Sequence, residues 1–166
     1  EPDRTTERMR KMNELEFTSE VSKLNIKLGE DKLAKLKRYY ELLVEWNEKM
    51  NLTGITELEQ VYLKHFYDSL TLHKIIDLNQ NLSLVDIGTG AGFPGLVLKI
   101  VFPNLKITLI DSLNKRIEFL KFVINELELK NIDAIHARCE EYGIKNREKF
   151  DIATARAVAP LNILLE

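Results

Sequence analysis

The sequence has 166 residues, of which 45% are hydrophobic and 30% charged, which suits one globular domain with a real core. A net charge of −2 gives no global basic field for nucleic acid, although a local patch would suffice. The single cysteine excludes an intrachain disulfide. Because no apolar run approaches the roughly 18 residues of a transmembrane helix and no signal peptide is visible, we expect a cytoplasmic protein without a membrane partner.

The N-terminal part of the chain reads as helical. Residues 1–12 are charged and nearly free of apolar side chains, and we interpret them as a disordered leader or a vector-derived remnant outside the fold. Thr18 or Ser19 predicts the start of a short helix that Gly29 ends. Apolar spacings of three and four predict a longer helix over residues 30–50. Its basic side chains form either a solvated face or an RNA-facing patch: Lys32, Lys35, Lys37 and Arg38.

A further helix is predicted after a capping box of Thr56 and Glu59, so that residues 13–82 form an N-terminal helical segment packed on the core domain. This helix carries the residue types of a hydrolase triad: His65, Asp68 and Ser69. They lie on one local segment with no group to orient a base, so we reject a triad. The histidines lack metal-ligand spacing, and we expect no metal site.

Strands and helices alternate from residue 83 onward. Strands are predicted at 83–87, 106–110, 132–136 and 150–155, with helices between the first three. Crossover connections predict an α/β fold with a mostly parallel sheet, and residues 83–166 form its core domain. We predict a helix from Leu161. We also expect that C-terminal strands of such a sheet are missing, which would leave the fourth strand with an open edge.

A glycine-rich turn follows the first predicted strand, and it holds four of the chain's seven glycines: Gly88, Gly90, Gly92 and Gly95. Glycine reaches positive φ without strain and has no Cβ, so a ligand can lie against bare backbone. A phosphate-binding P-loop is excluded, because Leu96 stands where that motif needs lysine. A dinucleotide pattern, G-x-G-x-x-G, begins at Gly90, but the strand already ends at Ile87, which puts it out of frame.

The better-framed pattern is Asp86-x-Gly88-x-Gly90-x-Gly92. It resembles the first motif of Rossmann-like methyltransferases that bind S-adenosylmethionine. A second acid, Asp111, ends the next strand about 20 residues beyond the glycines, where a ribose-binding carboxylate belongs. The alternative is that Asp111 only caps the following helix.

Other polar residues also follow predicted strands, namely residues 138–140 and Arg156. The carboxyl ends of parallel strands meet at one edge of a sheet, where ligands bind in such folds. We therefore expect these residues and the glycine turn to share one site.

From about Trp46 to Pro160 the chain resembles the bacterial small-subunit ribosomal RNA methyltransferase G family, also called glucose-inhibited division protein B. Four segments carry the resemblance: Trp46-Asn47 with Asn51-Leu52-Thr53, His65-Phe66-x-Asp68-Ser69, the turn extended by Phe93-Pro94-Gly95, and Arg156-Ala157. The resemblance implies methyl transfer from S-adenosylmethionine to N7 of a guanine in 16S ribosomal RNA, free or in an assembling subunit. We expect a monomer. A nucleotide-dependent oxidoreductase and a non-catalytic RNA-binding module stay open as alternatives.

Carried over by position, the resemblance implies that Gly88 and Phe93 contact the cofactor and that Cys139 and Glu140 lie beside its adenine. Cys139 is equally compatible with simple packing. Arg156 would balance the methionine carboxylate, meet an RNA phosphate or pair with a neighbouring acid. The full candidate cofactor set is Asp86, Gly88, Gly90, Gly92, Phe93, Asp111, Cys139, Glu140 and Arg156. Asp86 fixes the loop or lies near the cofactor's amino-acid end. Guanine N7 has a free lone pair, so we nominate no catalytic base.

Overall fold

A computed structural model of the chain describes residues 11–155 and 162–165. Within these residues lies one sheet with the strand order β3-β2-β1-β4-β5. Its strands are β1 (Ser83–Ile87), β2 (Lys106–Asp111), β3 (Ile132–His136), β4 (Ile152–Ala155) and β5 (Asn162–Leu165). The first four strands pair in parallel, which confirms the predicted α/β fold, and β5 runs antiparallel to β4.

The helices are, in chain order, α1 (Glu14–Ser22), α2 (Glu30–Met50), α3 (Leu58–Val61), α4 (Asp68–Leu70), α5 (Gly95–Val101), α6 (Asn114–Glu126) and α7 (Cys139–Asn146). A π-helical segment, Tyr62–Tyr67, joins α3 to α4, and 3-10 turns occupy Thr71–Lys74 and Arg147–Lys149. None of the helices in the described part of the chain has the length and apolarity that crossing a membrane requires.

The two faces of the sheet are covered unequally. Leu84 and Leu109 point into a large apolar cluster that they share with the N-terminal helices, α5 and α6. Val85 and Ile110 point the other way, into a small cluster against which Tyr142 of α7 packs. Alternate residues of each strand therefore face opposite layers, as the period of a strand requires.

The C-terminal end differs from the prediction. In place of the helix predicted from Leu161, Asn162–Leu165 form strand β5, which pairs with β4 from Ile152↔Leu165 to Ala155↔Asn162. The edge of β4 is therefore not open. A short apolar run does not decide between helix and strand by itself, and here the free edge of β4 supplies backbone partners.

The first helix starts earlier than predicted. Its cap is Asn13, whose side chain accepts a hydrogen bond from Glu16 N at 2.8 Å, and the Glu16 carboxylate returns one from Asn13 N at 3.3 Å. Thr18 and Ser19 therefore lie inside α1. Gly29 does not end α1 either, because it is the N-cap of α2.

Two other N-terminal predictions also need correction. Thr56 and Glu59 form no capping box, since α3 starts after Glu57 without a side-chain cap. The predicted leader, residues 1–12, extends too far, because Met12 belongs to the fold. Its side chain is fully buried, and its N–H donates to Glu59 O at 2.9 Å. Residues 1–10 lie outside the described part of the chain.

Helix α2 packs across α5 and α6, and its basic residues contribute to that packing. Lys32 Nζ donates to Val101 O at 2.7 Å at the end of α5, and burial lowers the pKa of this amine. Arg38 Nη2 lies 2.9 Å from Glu126 Oε1 at the end of α6. These contacts favour a structural role for the two side chains over a patch reserved for RNA.

Candidate functional site

The glycine turn leaves β1 and presents bare backbone at the carboxyl edge of the sheet. Gly88 N and Thr89 N both donate to Ile110 O, at 2.9 and 3.0 Å, which anchors the turn to β2. Gly88 and Gly90 have φ of 72° and 60°. A Cβ added at either glycine would meet nothing within 4 Å, so both face open space. Here only glycine combines the unstrained positive φ with full access for a ligand.

Gly92 has a different use. Its φ is 106°, and a Cβ there would lie 2.5 Å from Tyr39 Oη and 2.6 Å from Leu96 Cδ1. Tyr39 Oη donates to Ala91 O, so α2 is bonded directly to the turn. The absence of a side chain at Gly92 therefore lets α2 approach, and Gly92 does not line the cavity described below.

The Asp86 carboxylate lies behind the turn and is fully buried. Its Oδ2 accepts hydrogen bonds from Thr89 Oγ1 at 2.7 Å and Gly95 N at 2.9 Å, and its Oδ1 accepts one from Thr154 Oγ1 at 3.1 Å. These bonds join β1, β4, the turn and the start of α5. Of the two roles left open for Asp86, the geometry supports the one that fixes the loop.

Asp111 lies beside the turn, as the two-strand argument predicted. Its Oδ2 accepts a hydrogen bond from Gly90 N at 2.9 Å, and its Oδ1 accepts one from Leu113 N at 3.0 Å. Arg116 Nη1 lies 3.4 Å from the same Oδ1. Asp111 therefore also holds the start of α6, so the capping alternative is part of its role. Each carboxylate oxygen has two acceptor sites, which leaves capacity for a ligand hydroxyl.

A cavity of about 330 Å³ opens in front of the turn. Its size is at the lower end of the range of small-molecule sites, about 300–1,000 Å³. The residues that line it are Leu52, Thr53, His65, Gly88, Thr89, Gly90, Ala91, Phe93 and Arg116. A larger cavity, about 700 Å³, lies between the end of α6 and β3, on residues from Lys121 to Ile135, and it includes none of the turn. The smaller cavity is the candidate site, because the bare backbone of the glycine turn and the Arg116 side chain both line it.

The side of the cavity facing the turn comes from the N-terminal segment. Thr53 N is held by Asn47 Oδ1 at 2.8 Å, and Thr53 Oγ1 lies 3.1 Å from His65 Nε2. The His65 ring stacks on the Phe93 ring of the turn, with centroids 4.2 Å apart and planes 7° apart. Phe93 therefore lines the cavity, and its contact with the cofactor stays a prediction.

Three polar lining residues outside the turn had no predicted cofactor role: Thr53, His65 and Arg116. Thr53 and His65 belong to segments that carry the family resemblance, which was the available signal. Arg116 follows Asp111 by five residues, on the first turn of α6. No group of three or more His, Cys, Asp or Glu side chains in the described chain could hold a metal ion.

The family model GidB, rRNA small subunit methyltransferase G, matches residues 32–166. The chain belongs to this family.

Curated relatives named ribosomal RNA small subunit methyltransferase G agree with the family match. The chain is 52% identical over 157 residues to the protein of Lysinibacillus sphaericus (strain C3-41), covering 93% of this chain and 66% of the relative. It is 56% identical over 145 residues to that of Staphylococcus carnosus (strain TM300), covering 86% and 60%. The chain thus spans 60–66% of the length of these relatives.

A solved structure also shares the fold. The crystal structure of MtNAS in complex with MTA and tNA aligns with a TM-score of 0.50 and 19% identity, over 74% of this chain and 48% of that one. At this identity the likeness concerns the fold alone, and it agrees with the predicted Rossmann-like sheet.

Three residues carried over from the methyltransferase G family remain to be placed: Cys139, Glu140 and Arg156. Cys139 begins α7 and is half-buried; burial raises the pKa of its thiol, as does the Asp111 carboxylate, and backbone hydrogen bonds from Gly88 and Ser112 partly oppose this. Cys139 is thus close to the turn. Glu140 follows it and is exposed. Arg156 lies outside the described residues, so its position stays a prediction.

Proposed function

We propose that this protein binds S-adenosylmethionine against the glycine turn and transfers its methyl group to N7 of a guanine in 16S ribosomal RNA. The observation that carries the proposal is the pairing of two exposed glycines, Gly88 and Gly90, with a carboxylate, Asp111, that is bonded to the same turn. Family membership supplies the methyl-transfer chemistry and the RNA substrate, which the relatives carry in their names.

The residues present fit the cofactor. Open space over Gly88 and Gly90 admits its amino-acid end close to the backbone. Asp111 Oδ2 has one acceptor site left for a ribose hydroxyl, and Cys139 with Glu140 lies next along the carboxyl edge, where the adenine would be held. Asp86 and Gly92 support the turn from behind and contribute indirectly. When bound, S-adenosylmethionine supplies a sulfonium-activated methyl group.

The chain's own contribution is alignment. Guanine N7 would be the nucleophile toward that methyl carbon, and the sulfonium would leave as a neutral thioether that keeps the electron pair of the broken carbon–sulfur bond. No proton needs to leave N7 before attack, so no side chain has to act as a base. Holding the nucleophile in line with the methyl group converts a bimolecular encounter into an oriented reaction. The hydrogen bonds of Asp86 and Asp111 hold the turn in position for this task.

The proposal includes the substrate form and the setting. Its RNA substrate is either free 16S ribosomal RNA or an assembling small subunit, and its setting is the bacterial cytoplasm, because ribosomes are made there and the named relatives are bacterial. A monomeric working state stays a prediction.

The test measures transfer and binding together. Labelled S-adenosylmethionine is incubated with the protein and with ribosomal RNA from a strain that lacks the modification, and the methylated nucleotide is mapped. We expect label in 7-methylguanine of 16S RNA, and none with Gly90→Val. Calorimetry that compares the affinity for S-adenosylmethionine with that for a nicotinamide dinucleotide distinguishes a methyltransferase from the oxidoreductase alternative. Binding of the dinucleotide alone, or RNA binding that survives Gly90→Val with no transfer by the parent, would contradict the proposal.

A further inference from the structure

The side of the cavity opposite the glycine turn is polar and ordered by its own contacts. We call Thr53 and His65 the N-terminal wall. Its position is fixed by Asn47 Oδ1, which accepts from Thr53 N at 2.8 Å, and by the stack of His65 on Phe93 at 4.2 Å. The wall thus connects the segment after α2 with the tip of the cofactor turn. Both wall residues line the 330 Å³ cavity directly.

His65 lies in the π-helical segment Tyr62–Tyr67, between the α-helical stretches α3 and α4. A π-helical turn is rarer and less favourable than an α-helical one, and such turns occur frequently at functional sites. Here Tyr62 and Phe66, on either side of His65 in the same segment, are fully buried in the core. The irregular turn keeps these aromatic residues in the core while His65 lines the cavity.

Hydrogen bonds define what the wall can offer to a ligand. Ile55 N donates to Thr53 Oγ1 at 3.1 Å, which fills one of the two acceptor sites of the hydroxyl. In the tautomer in which His65 Nε2–H donates to the same oxygen, at 3.1 Å, the second acceptor site is filled as well. In this tautomer the hydroxyl proton of Thr53 is its remaining capacity and is available to an acceptor in the cavity, whereas in the opposite tautomer the hydroxyl donates to His65 Nε2.

The wall and the proposed nucleoside-binding residues come from different parts of the chain. Asp111 ends β2 and Cys139 follows β3, whereas the wall belongs to the N-terminal segment. Neither Asp111 nor Cys139 is among the residues that line this cavity. On the proposed function, in which Asp111 and Cys139 hold the nucleoside end of the cofactor, the wall would border its methyl-donating end.

We infer that the N-terminal wall, together with the Phe93 ring, is the subsite for the methyl-accepting purine, and this inference rests on the proposed function. Enzymes that modify a base take it out of the stack and read its edge with hydrogen bonds beside aromatic side chains. Guanine presents two adjacent acceptors, N7 and O6, whereas adenine presents N7 and an amino donor. A hydroxyl donor at O6 accepts guanine and disfavours adenine while N7 remains available for the methyl group.

The experiment compares variants that keep shape and remove polarity. Thr53→Val replaces the hydroxyl by a methyl group, and His65→Phe keeps an aromatic ring against Phe93. Thr53→Ser restores the hydroxyl. The matched control is His73→Phe: His73 lies in the same helical region and packs on Phe102 at 5.0 Å, but it does not line the cavity. Each variant is assayed for melting temperature, S-adenosylmethionine affinity, and kcat and KM for unmodified 16S ribosomal RNA.

For Thr53→Val and His65→Phe we expect kcat to fall about tenfold or more, the usual order for a lost base contact. KM for RNA and the cofactor affinity should stay within about threefold, because phosphate contacts dominate RNA affinity. Thr53→Ser should recover most of the loss in Thr53→Val. His73→Phe should change the melting temperature only.

Two results would overturn the inference alone: unchanged kcat in both wall variants, or a cofactor affinity that falls in parallel with kcat, which would assign the wall to the cofactor. If the parent binds S-adenosylmethionine but makes no 7-methylguanine, the proposed function fails, and the purine subsite fails with it.

Discussion

Asp86 tests whether a buried carboxylate supports the cofactor turn or contacts the cofactor itself. Asp86→Ala removes the acceptor of three hydrogen bonds, which are donated by Thr89 Oγ1, Gly95 N and Thr154 Oγ1. The buried Gly95 N–H is left without this acceptor, at a cost of about 1–3 kcal/mol. Each hydroxyl loses a charged acceptor, although Thr154 Oγ1 can still use Val85 O, which lies 3.5 Å away. The total is about 3–4 kcal/mol of unfolding free energy, a large share of the roughly 5–15 kcal/mol of a typical domain.

Asp86→Asn should be much milder. Its carbonyl oxygen can still accept from Thr89 and Gly95, and its amide can donate to the Thr154 hydroxyl, so we expect a loss of about 1 kcal/mol. Thermal unfolding should show a drop of about 10 °C for Asp86→Ala and a few degrees for Asp86→Asn, at about 2–4 °C per kcal/mol for a chain of this size. The control is Asp133→Asn, at an exposed position of β3, which should unfold like the parent.

Cofactor binding then decides between the two roles of Asp86. Because the carboxylate faces the core, folded Asp86→Asn should bind S-adenosylmethionine within about threefold of the parent. The reasoning is refuted if Asp86→Asn keeps the parent's melting temperature and loses cofactor affinity tenfold, since that pattern belongs to a direct contact.

Three further predictions concern the same site. Asp111→Ala should weaken S-adenosylmethionine binding in calorimetry by about tenfold or more, because charge-assisted hydrogen bonds are lost; unchanged affinity would restrict Asp111 to bracing the turn and α6. Gly90→Ala should lose cofactor affinity at a stability cost of about 1–2 kcal/mol from its positive φ, whereas Gly92→Ala should mainly lower the melting temperature, because its Cβ would lie 2.5 Å from Tyr39 Oη; equal effects of the two variants on binding would contradict this contrast. Alkylation of Cys139 should stay slow until the pH exceeds 9.0, the ordinary value above which burial raises this thiol's pKa; a reaction at neutral pH as fast as that of free cysteine would argue against a buried, protonated thiol.

Local sequence patterns predicted the sheet more reliably than the residues that line the site. Strands β1 and β3 have the predicted bounds, 83–87 and 132–136, because apolar runs bounded by glycine, asparagine or polar residues specify them locally. The position of Asp111 beside the turn also followed from strand order, since neighbouring parallel strands end at the same edge of a sheet.

Contacts between distant segments explain what the sequence could not show. Whether a glycine of the turn faces a ligand or a helix depends on Tyr39, which is more than fifty positions away from Gly92 in the chain. The N-terminal wall likewise requires the loop after α2, the π-helical segment and the turn to meet. The sequence did not predict the N-cap of α1, because Asn13 lies before the first apolar repeat. Thr18 and Ser19, which are also good N-cap residues, gave a competing signal.

The apolar cluster that contains Phe17, Tyr39 and Phe66 continues without interruption into Leu96 and Leu120 beneath the sheet. As a result, a fragment beginning at residue 83 would present the uncovered faces of α5 and α6 to water and would self-associate. The helices that precede the sheet cover these apolar faces and so prevent aggregation. Any shortened version of this protein made for screening or crystallisation therefore has to retain them.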